Sequence, residues 1–558
     1  MTPFMKIKKI ITLSLILLIA LTSRAQTPTC YRIYLSDKDN SPYSINNPIE
    51  YLSQRAIDKR ARFNIPITEQ DFPVNPNYIG QIKQIDYKIQ ILTTSKWMNS
   101  VTIYCPDNEK LSIIEALDFV DSLIPVAAYR LNSNNNSKKI AKIDSDSRND
   151  SDFLSDSLGF YGLGKAQIAI HNGDKLHEAG FRGEGMLIVV IDGGFFGVES
   201  CDFYKKLIEE GRFLGMYDLM PNFDTSYYPS PYTQAHGTAV ASVIAANKEN
   251  IFVGTAPEAS YVFIQSEYSP SEELIEEDFW ARAAEIVDSI GADVVNSSLG
   301  YTLYPDFPQA NTDYSTFDGL HSIASLSATI LANKGVIPCI AVGNDGLNDW
   351  FHIGKPSDAF DVISVGACTY DSIIAGFSSR GYTFDGRVKP DVVSVGFSTT
   401  CYRPGNSIIQ ANGTSFATPV IAGLCACLWQ ALPQYSSIEL MQKIREYSSQ
   451  YLTPDIEFGY GIPDFYYAYF DLLSIPNHSF NSANIFPNPC KDYFVIEDEN
   501  SEKSVIKLYN IQGKNILTTT KEYGNKTQIN IQNLPNGLYI GEILTKSYPK
   551  KYFRIIKR

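Results

Sequence analysis

The chain has 558 residues, 44% hydrophobic and 12% aromatic. That is enough for a large core and too long for one ordinary domain, so roughly two to four are expected. Its 47 basic and 61 acidic side chains leave a formal charge of −14. With no Lys/Arg-rich block to neutralise phosphates, nucleic acid is excluded as an expected partner.

Lys6, Lys8 and Lys9 precede the apolar run Ile10–Leu21, and Ser23-Arg24-Ala25 follows. A basic start, a short apolar stretch and a small-x-Ala site predict a secretory signal peptide over residues 1–25. The run is short for a membrane span. No cysteine sits at the cleavage point, which argues against a lipoprotein anchor.

Residues 26–135 read as a small α+β region. "KIQILTTSKWMNSVTIYC" predicts two strands joined by a short turn, "NEKLSIIEALDFVDSL" an amphipathic helix, and "IPVAAYRL" a further strand. The Asn-, Ser- and Asp-rich stretch after it cannot bury a core. Residues 136–157 are therefore expected to be an exposed linker, where proteolytic nicking concentrates.

Between 158 and 475 short apolar runs alternate with helical patterns: "MLIVVID", "SYVFIQS", "ADVVNSSLG", "VIPCIAVGN" and "FDVISVGAC". Runs without alternation suit strands buried on both faces of a parallel sheet, and the helices between them imply βαβ crossovers. From 480 to 558 the chain turns to short strands punctuated by Gly and Asn, the pattern of a small all-β sandwich. The nine cysteines match no metal or redox spacing and are expected to be core thiols.

Several polar residues fall at the ends of these elements. Asp192 closes the strand "LIVVI", at the strand carboxyl end where open α/β sheets bind ligands. Alone, an Asp before two glycines is an ordinary turn residue. His236 opens the Ala-rich helix "HGTAVASVIAAN". None of the six histidines has the i, i+4 spacing of a helical zinc site, which disfavours metal hydrolysis. Asn344 follows "VIPCIAV" and carries an amide able to donate to an oxyanion. Ser298-Leu299-Gly300 follow "ADVVNS" as an extended edge able to pair with a substrate backbone. In "GTSFATP", Ser415 stands at the start of a long apolar helix. A Ser there caps backbone N–H groups, or acts as a nucleophile where the helix dipole favours negative charge.

Acid, base, oxyanion donor and nucleophile are then all present, in the order Asp, His, Asn, Ser. With "IVVIDGG", "HGTAVASVIA", "GTAPEASYVFIQSE", "SSLG", "AVGNDG", "FSSRGYTFDGRVKPDVV" and "GTSFATPVIAG", the chain resembles the subtilisin-like serine proteases over roughly residues 160 to 470. The resemblance implies a three-layer α/β fold with a mainly parallel sheet. It implies Ser415 as nucleophile, His236 as general base and Asp192 as its orienting acid. It gives Asn344 and the Ser415 N–H the oxyanion hole, and Ser298, Leu299 and Gly300 the substrate backbone. Two positions depart from the common pattern: Gly193 where many members carry Thr or Ser, and Ala239 where many carry His. No cofactor is implied for the chemistry, and a structural calcium can be assigned to no loop.

The first block resembles a subtilase pro-domain, which implies an intramolecular chaperone and inhibitor, and makes 136–157 the expected maturation region. "IFPNPCKDYFVIE", "VIKLYNIQGKNIL", "LPNGLYIGEI" and "KKYFRIIKR" resemble the C-terminal sorting domain of the type IX (Por) secretion system. The expected product is a secreted or surface-held serine endopeptidase, made as a zymogen and exported through the periplasm of a Gram-negative bacterium. Its partners are peptide or protein substrates, its own pro-domain and the outer-membrane export machinery. The competing expectation is a non-catalytic binding protein on the same fold. An α/β-hydrolase esterase would need a Gly-x-Ser-x-Gly elbow with its His last; the chain has no such elbow, and His236 precedes Ser415.

Overall fold

The computed structural model describes residues 28–128, 159–220, 235–267, 271–404, 407–473, 484–497, 503–510, 514–522, 524–545 and 551–558. The expected signal peptide and the 136–157 linker lie outside the described residues. The chain divides into two compact units, Met1–Leu472 and Leu473–Arg558.

The first unit begins with strand β1 (Cys30–Leu35), two helices (Gln54–Arg62, Pro76–Ile85) and strands β2 (Gln90–Ser95), β3 (Ser100–Tyr104) and β4 (Val120–Ala127). They form an antiparallel sheet in the order β2-β3-β1-β4. Strand alternation sorts its faces. Tyr31, Ile33, Val101 and Ile103 pack into the region's own core with Ile82 and Ile114. Arg32 and Thr102 point the other way, onto Asp278 of the helix Glu276–Ile290. The helix expected over "NEKLSIIEALDFVDSL" is cut short: a 3-10 turn and one short helix end at Glu115. The rest joins β4, because β1 needs a partner on its open edge and Val120 pairs with Leu35.

The central region carries, among the described residues, seven parallel strands. They are β5 (Leu187–Asp192), β6 (Phe213–Asp218), β9 (Ser260–Gln265), β10 (Val294–Ser297), β11 (Ile337–Ala341), β12 (Ile363–Cys368) and β13 (Val392–Val395). The two-residue strands β7 (Asn247–Lys248) and β8 (Phe252–Val253) form a separate pair. The sheet order is β13-β12-β11-β10-β5-β9-β6. Helices His236–Ala245 and Thr414–Ala431 cover one face and contribute Val240, Val243, Val420 and Leu424 to the core. Helices Glu276–Ile290 and Ile323–Asn333 cover the other with Trp280, Ala284, Ala328 and Leu331. This is the expected three-layer α/β arrangement. The hairpin β14 (Thr399–Arg403) and β15 (Ser407–Ala411) leads into the helix Thr414–Ala431.

The second unit holds two antiparallel sheets. One is β16 (Asn484–Phe486), β17 (Tyr493–Glu497) and β20 (Lys526–Asn530). The other has the order β19 (Asn515–Lys521), β18 (Ser504–Tyr509), β21 (Gly537–Leu544) and β22 (Lys551–Lys557). Phe494, Ile496 and Ile529 of the first meet Ile506, Leu508, Ile543 and Ile555 of the second in one core, as the expected sandwich requires. All nine cysteines of the chain are buried thiols.

Candidate active site

β5 and the helix His236–Ala245 place Asp192 and His236 against each other. Asp192 is fully buried at the carboxyl end of β5. His236 is the first residue of its helix. The helix start approaches the strand end closely. A Cβ on Gly237 would lie 2.6 Å from the Gly194 carbonyl and 2.8 Å from the Asp192 Cβ, so only glycine fits there. His236 Nδ1 lies 2.7 Å from Asp192 Oδ1. The Gly193 N–H donates to the same oxygen at 2.8 Å. A proton on Nδ1 leaves Nε2 as the ring's acceptor. Burial disfavours the imidazolium, yet the Asp192 charge and hydrogen bond, joined by the Glu267 charge, outweigh it and raise His236 above its ordinary value.

Ser415 is the second residue of the helix Thr414–Ala431. Its N–H lies in the first turn, where a helix supplies no acceptor of its own. Its hydroxyl donates to the Ser298 carbonyl at 3.3 Å, rather than to His236 Nε2. The His236 ring meets the ring of the next residue, Phe416, edge-on at 5.8 Å. The apolar helix continues through Pro419, which has no N–H for the Ser415 carbonyl. The Ser298 hydroxyl fills that role at 2.9 Å, and accepts in turn from the Asn296 amide at 3.1 Å.

Asn344 stands in the loop after β11. Its Oδ1 accepts from the Thr414 N–H at 2.9 Å and from the Thr414 hydroxyl at 3.1 Å. These two bonds fix the amide's orientation and turn Nδ2 the other way. Asn344 Nδ2 and Ser415 N lie 3.6 and 3.7 Å from the point where a Cβ on Gly413 would stand. Two N–H donors thus flank one spot, which a side chain on Gly413 would fill. Leu299 is buried and Gly300 exposed, and the chain leaves this edge where Tyr301 pairs with Lys355.

The structure therefore brings Asp192 onto His236, Ser298 onto Ser415, and Asn344 beside the Ser415 N–H. One neighbour escaped the sequence reading. Glu267 lies two residues past Gln265, which pairs with Asp192 in the sheet. Its Oε2 is 3.5 Å from the position of a Cβ on Gly193. Burial, then the charges of Asp192 and Glu272, push its carboxyl up to about 8. It is the last residue of "GTAPEASYVFIQSE", but nothing in that stretch sets it beside Asp192; the folded sheet does.

An acid, an imidazole, a hydroxyl and amide donors gathered at the carboxyl edge of a parallel sheet are the groups that nucleophilic-serine hydrolases use. The particular family follows from comparison. A model of the subtilase family of peptidases matches residues 183–461, half of the chain, and the chain belongs to that family. A Bacteroidota peptidase S8 propeptide model matches residues 30–143, and a secretion-system C-terminal sorting-domain model matches 484–558. The sorting domain marks the chain for secretion or the cell surface by the type IX route.

Serine protease AprX of Bacillus subtilis is 26% identical over 52% of this chain and 66% of its own length. Subtilisin E of the same species is 28% identical over 51% of this chain and 66% of its own. The chain thus spans just under two thirds of these relatives. Among solved structures, the self-cleaved protease domain of PatA aligns with a TM-score of 0.40 at 19% identity, covering 52% of this chain and 98% of that one.

Proposed function

We propose that the chain is a secreted serine endopeptidase made as a zymogen. The observation that supports it most is the 2.7 Å contact between His236 Nδ1 and Asp192 Oδ1, which leaves Nε2 to take a proton. In this reading the Ser415 hydroxyl turns from the Ser298 carbonyl toward Nε2 and attacks a peptide carbonyl lying along Ser298, Leu299 and Gly300. His236 takes the hydroxyl proton, and Asp192 steadies the imidazolium. The oxyanion receives hydrogen bonds from Asn344 Nδ2 and the Ser415 N–H, a contribution of about 3–4 kcal/mol per donor in related sites. His236 then passes its proton to the leaving amine, and water repeats the sequence to release the acyl group. No step needs a metal or cofactor.

The N-terminal region acts as chaperone and inhibitor until the segment at 136–157 is cut. A fluorophosphonate probe on the purified secreted protein, with mass spectrometry of the modified peptide, tests the assignment. Label on Ser415 and loss of peptide hydrolysis in Ser415→Ala support it. Hydrolysis retained in Ser415→Ala overturns it. Absence of label from both full-length and trimmed protein favours the non-catalytic binding protein, a reading consistent with the Ser415 hydroxyl being engaged by Ser298.

A further inference from the structure

β11 and the helix Thr414–Ala431 carry the two halves of the proposed oxyanion site. β11 leads into the loop of Asn344, and the helix begins with Thr414 and Ser415. Behind the site the same two elements bring a pair of sulfurs together. Cys339 stands on β11 between Asn296 of β10 and Ile363 of β12. Cys425 meets it from the helix, and the Cys339 thiol donates to the Cys425 sulfur at 4.0 Å. Both are fully buried in the core that joins helix and sheet. Other thiols of the chain turn to backbone carbonyls: Cys427 to Thr255 at 3.2 Å, Cys105 to Asp107 at 3.4 Å and Cys490 to Ile556 at 3.6 Å. Cys339 turns to a second thiol.

A disulfide is about 2.05 Å long. The two thiols are already in contact, so the bond asks for a closing of about 2 Å, by side-chain rotation and a small settling of the helix on the sheet. The sorting domain sends the chain out of the cell or to its surface, and exported proteins fold where thiols are oxidised. We propose that Cys339 and Cys425 are joined by a disulfide in the exported protein. The bond stands apart from the peptidase reading.

The oxidant is a disulfide-bearing dithiol. One protein thiolate attacks a sulfur of the oxidant and releases its first thiol. The second protein thiolate then attacks the mixed disulfide and releases the other. Two S–H bonds and the oxidant's S–S bond are exchanged for the Cys339–Cys425 bond and two thiols on the oxidant, a transfer of two electrons and two protons. Burial, then the Cys425 hydrogen bond, push the Cys339 thiol well above its ordinary value, so little thiolate forms once the core is closed. The exchange therefore belongs to folding, when strand and helix first meet, and the finished bond is shielded from reductant. It spans 86 residues of sequence, a separation at which a cross-link strongly restricts the unfolded chain.

The test uses the Ser415→Ala chain, which cannot cleave itself in the proposed mechanism, collected after export. The protein is denatured and alkylated with iodoacetamide in the absence of reductant, digested, and analysed by mass spectrometry. The expected result is a linked pair of peptides carrying Cys339 and Cys425 that separates on reduction. Urea unfolding with and without a phosphine reductant gives a second readout. The reductant is expected to lower the midpoint of the parent and to leave unchanged that of a protein carrying both Cys339→Val and Cys425→Ala. Full alkylation of Cys339 and Cys425 before reduction overturns the inference, as does either residue linked to a different cysteine. If the double variant does not fold, the peptide map decides by itself.

Discussion

The Ser298 hydroxyl donates to the Ser415 carbonyl at 2.9 Å, in the place where Pro419 has no N–H to offer. The bond joins the proposed substrate edge to the first turn of the helix that carries the proposed nucleophile. Ser298→Ala leaves a buried carbonyl without its donor, which costs about 1–3 kcal/mol. We expect an unfolding free energy in urea lowered by that amount and a fall in kcat, because the Ser415 backbone loses its tether. A stability unchanged within 0.5 kcal/mol, taken as about the scatter of surface substitutions, would show that the contact is incidental.

Asn344 divides its amide between two tasks. Its oxygen is held by Thr414, and its nitrogen faces the spot flanked by the Ser415 N–H. Asn344→Leu removes the donor, and kcat is expected to fall about 10²–10³-fold with KM little changed, since an oxyanion contact is made only in the transition state. Thr414→Val keeps the donor and the backbone N–H bond to Asn344 Oδ1 but removes the hydroxyl bond, which loosens the amide's orientation, so a smaller loss of kcat is expected. Steady-state kinetics on one peptide separates the two. Equal losses in both variants would mean that orientation, not donation, is what Asn344 supplies.

The strands that position this site were legible because they are unbroken apolar runs, and Asp192 and Asn344 follow such runs directly. Ser415 was legible because an apolar helix with Pro419 in its second turn has few other readings. The edge strand Phe213–Asp218 was not, since Leu214, Met216 and Tyr217 are exposed and show no buried face. β13, only four residues long, was seen only as part of a motif. The helix expected through Leu123 was over-read because pairing with β1, a long-range contact, overrides local periodicity. The same limit hid the charges of the N-terminal region. Arg32, Arg60 and Lys96 look like solvated residues in sequence, but their partners Asp278 and Asp288 lie about 190 to 250 residues away and are buried with them. Glu267 was missed for a related reason: its meaning comes from Gly193, a neighbour only in the folded sheet.

In the proposed mechanism His236 sets the acid limb of activity. As the proposed base it must be neutral, so kcat/KM rises with pH through its pKa, which the Asp192 charge and hydrogen bond hold above 6.5 against burial. Asp192→Asn removes that charge and the fixed tautomer. Burial then dominates, the limb moves to lower pH, and kcat falls about 10⁴-fold. A pH–rate profile of both proteins checks the sign. A limb that stays in place in Asp192→Asn would assign it to another group.

Arg60 is buried between two carboxylates. It donates to Asp71 at 2.8 and 3.0 Å and to Asp288 at 2.7 Å, while Lys334 reaches Asp71 and Lys96 reaches Asp288, each at 2.9 Å. Asp71, Arg60 and Lys96 belong to the N-terminal region; Asp288 and Lys334 belong to the central one. Burial opposes ionisation of Asp71, but the Arg60 hydrogen bonds and charge, with Lys334, lower it to about 2. A carboxyl depressed in the folded state contributes stability above its unfolded value near 4, lost as pH falls toward 2. Arg60→Ala in the full-length Ser415→Ala chain, which cannot cleave itself in this reading, leaves both carboxylates short of a partner. The expected cost at pH 7 is about 3–5 kcal/mol. At pH 2.5 the carboxyls of the unfolded chain are protonated while Asp71 in the folded parent is still largely ionised, so much of that contribution is lost and the gap between parent and variant narrows. Lys83→Ala, on an exposed side chain, should shift stability by no more than about 0.5 kcal/mol at either pH. Urea unfolding at the two pH values reads all three proteins. A cost for Arg60→Ala that is the same at both would mean that Arg60 stabilises the fold through packing, and that its charge does not hold the N-terminal region to the central one.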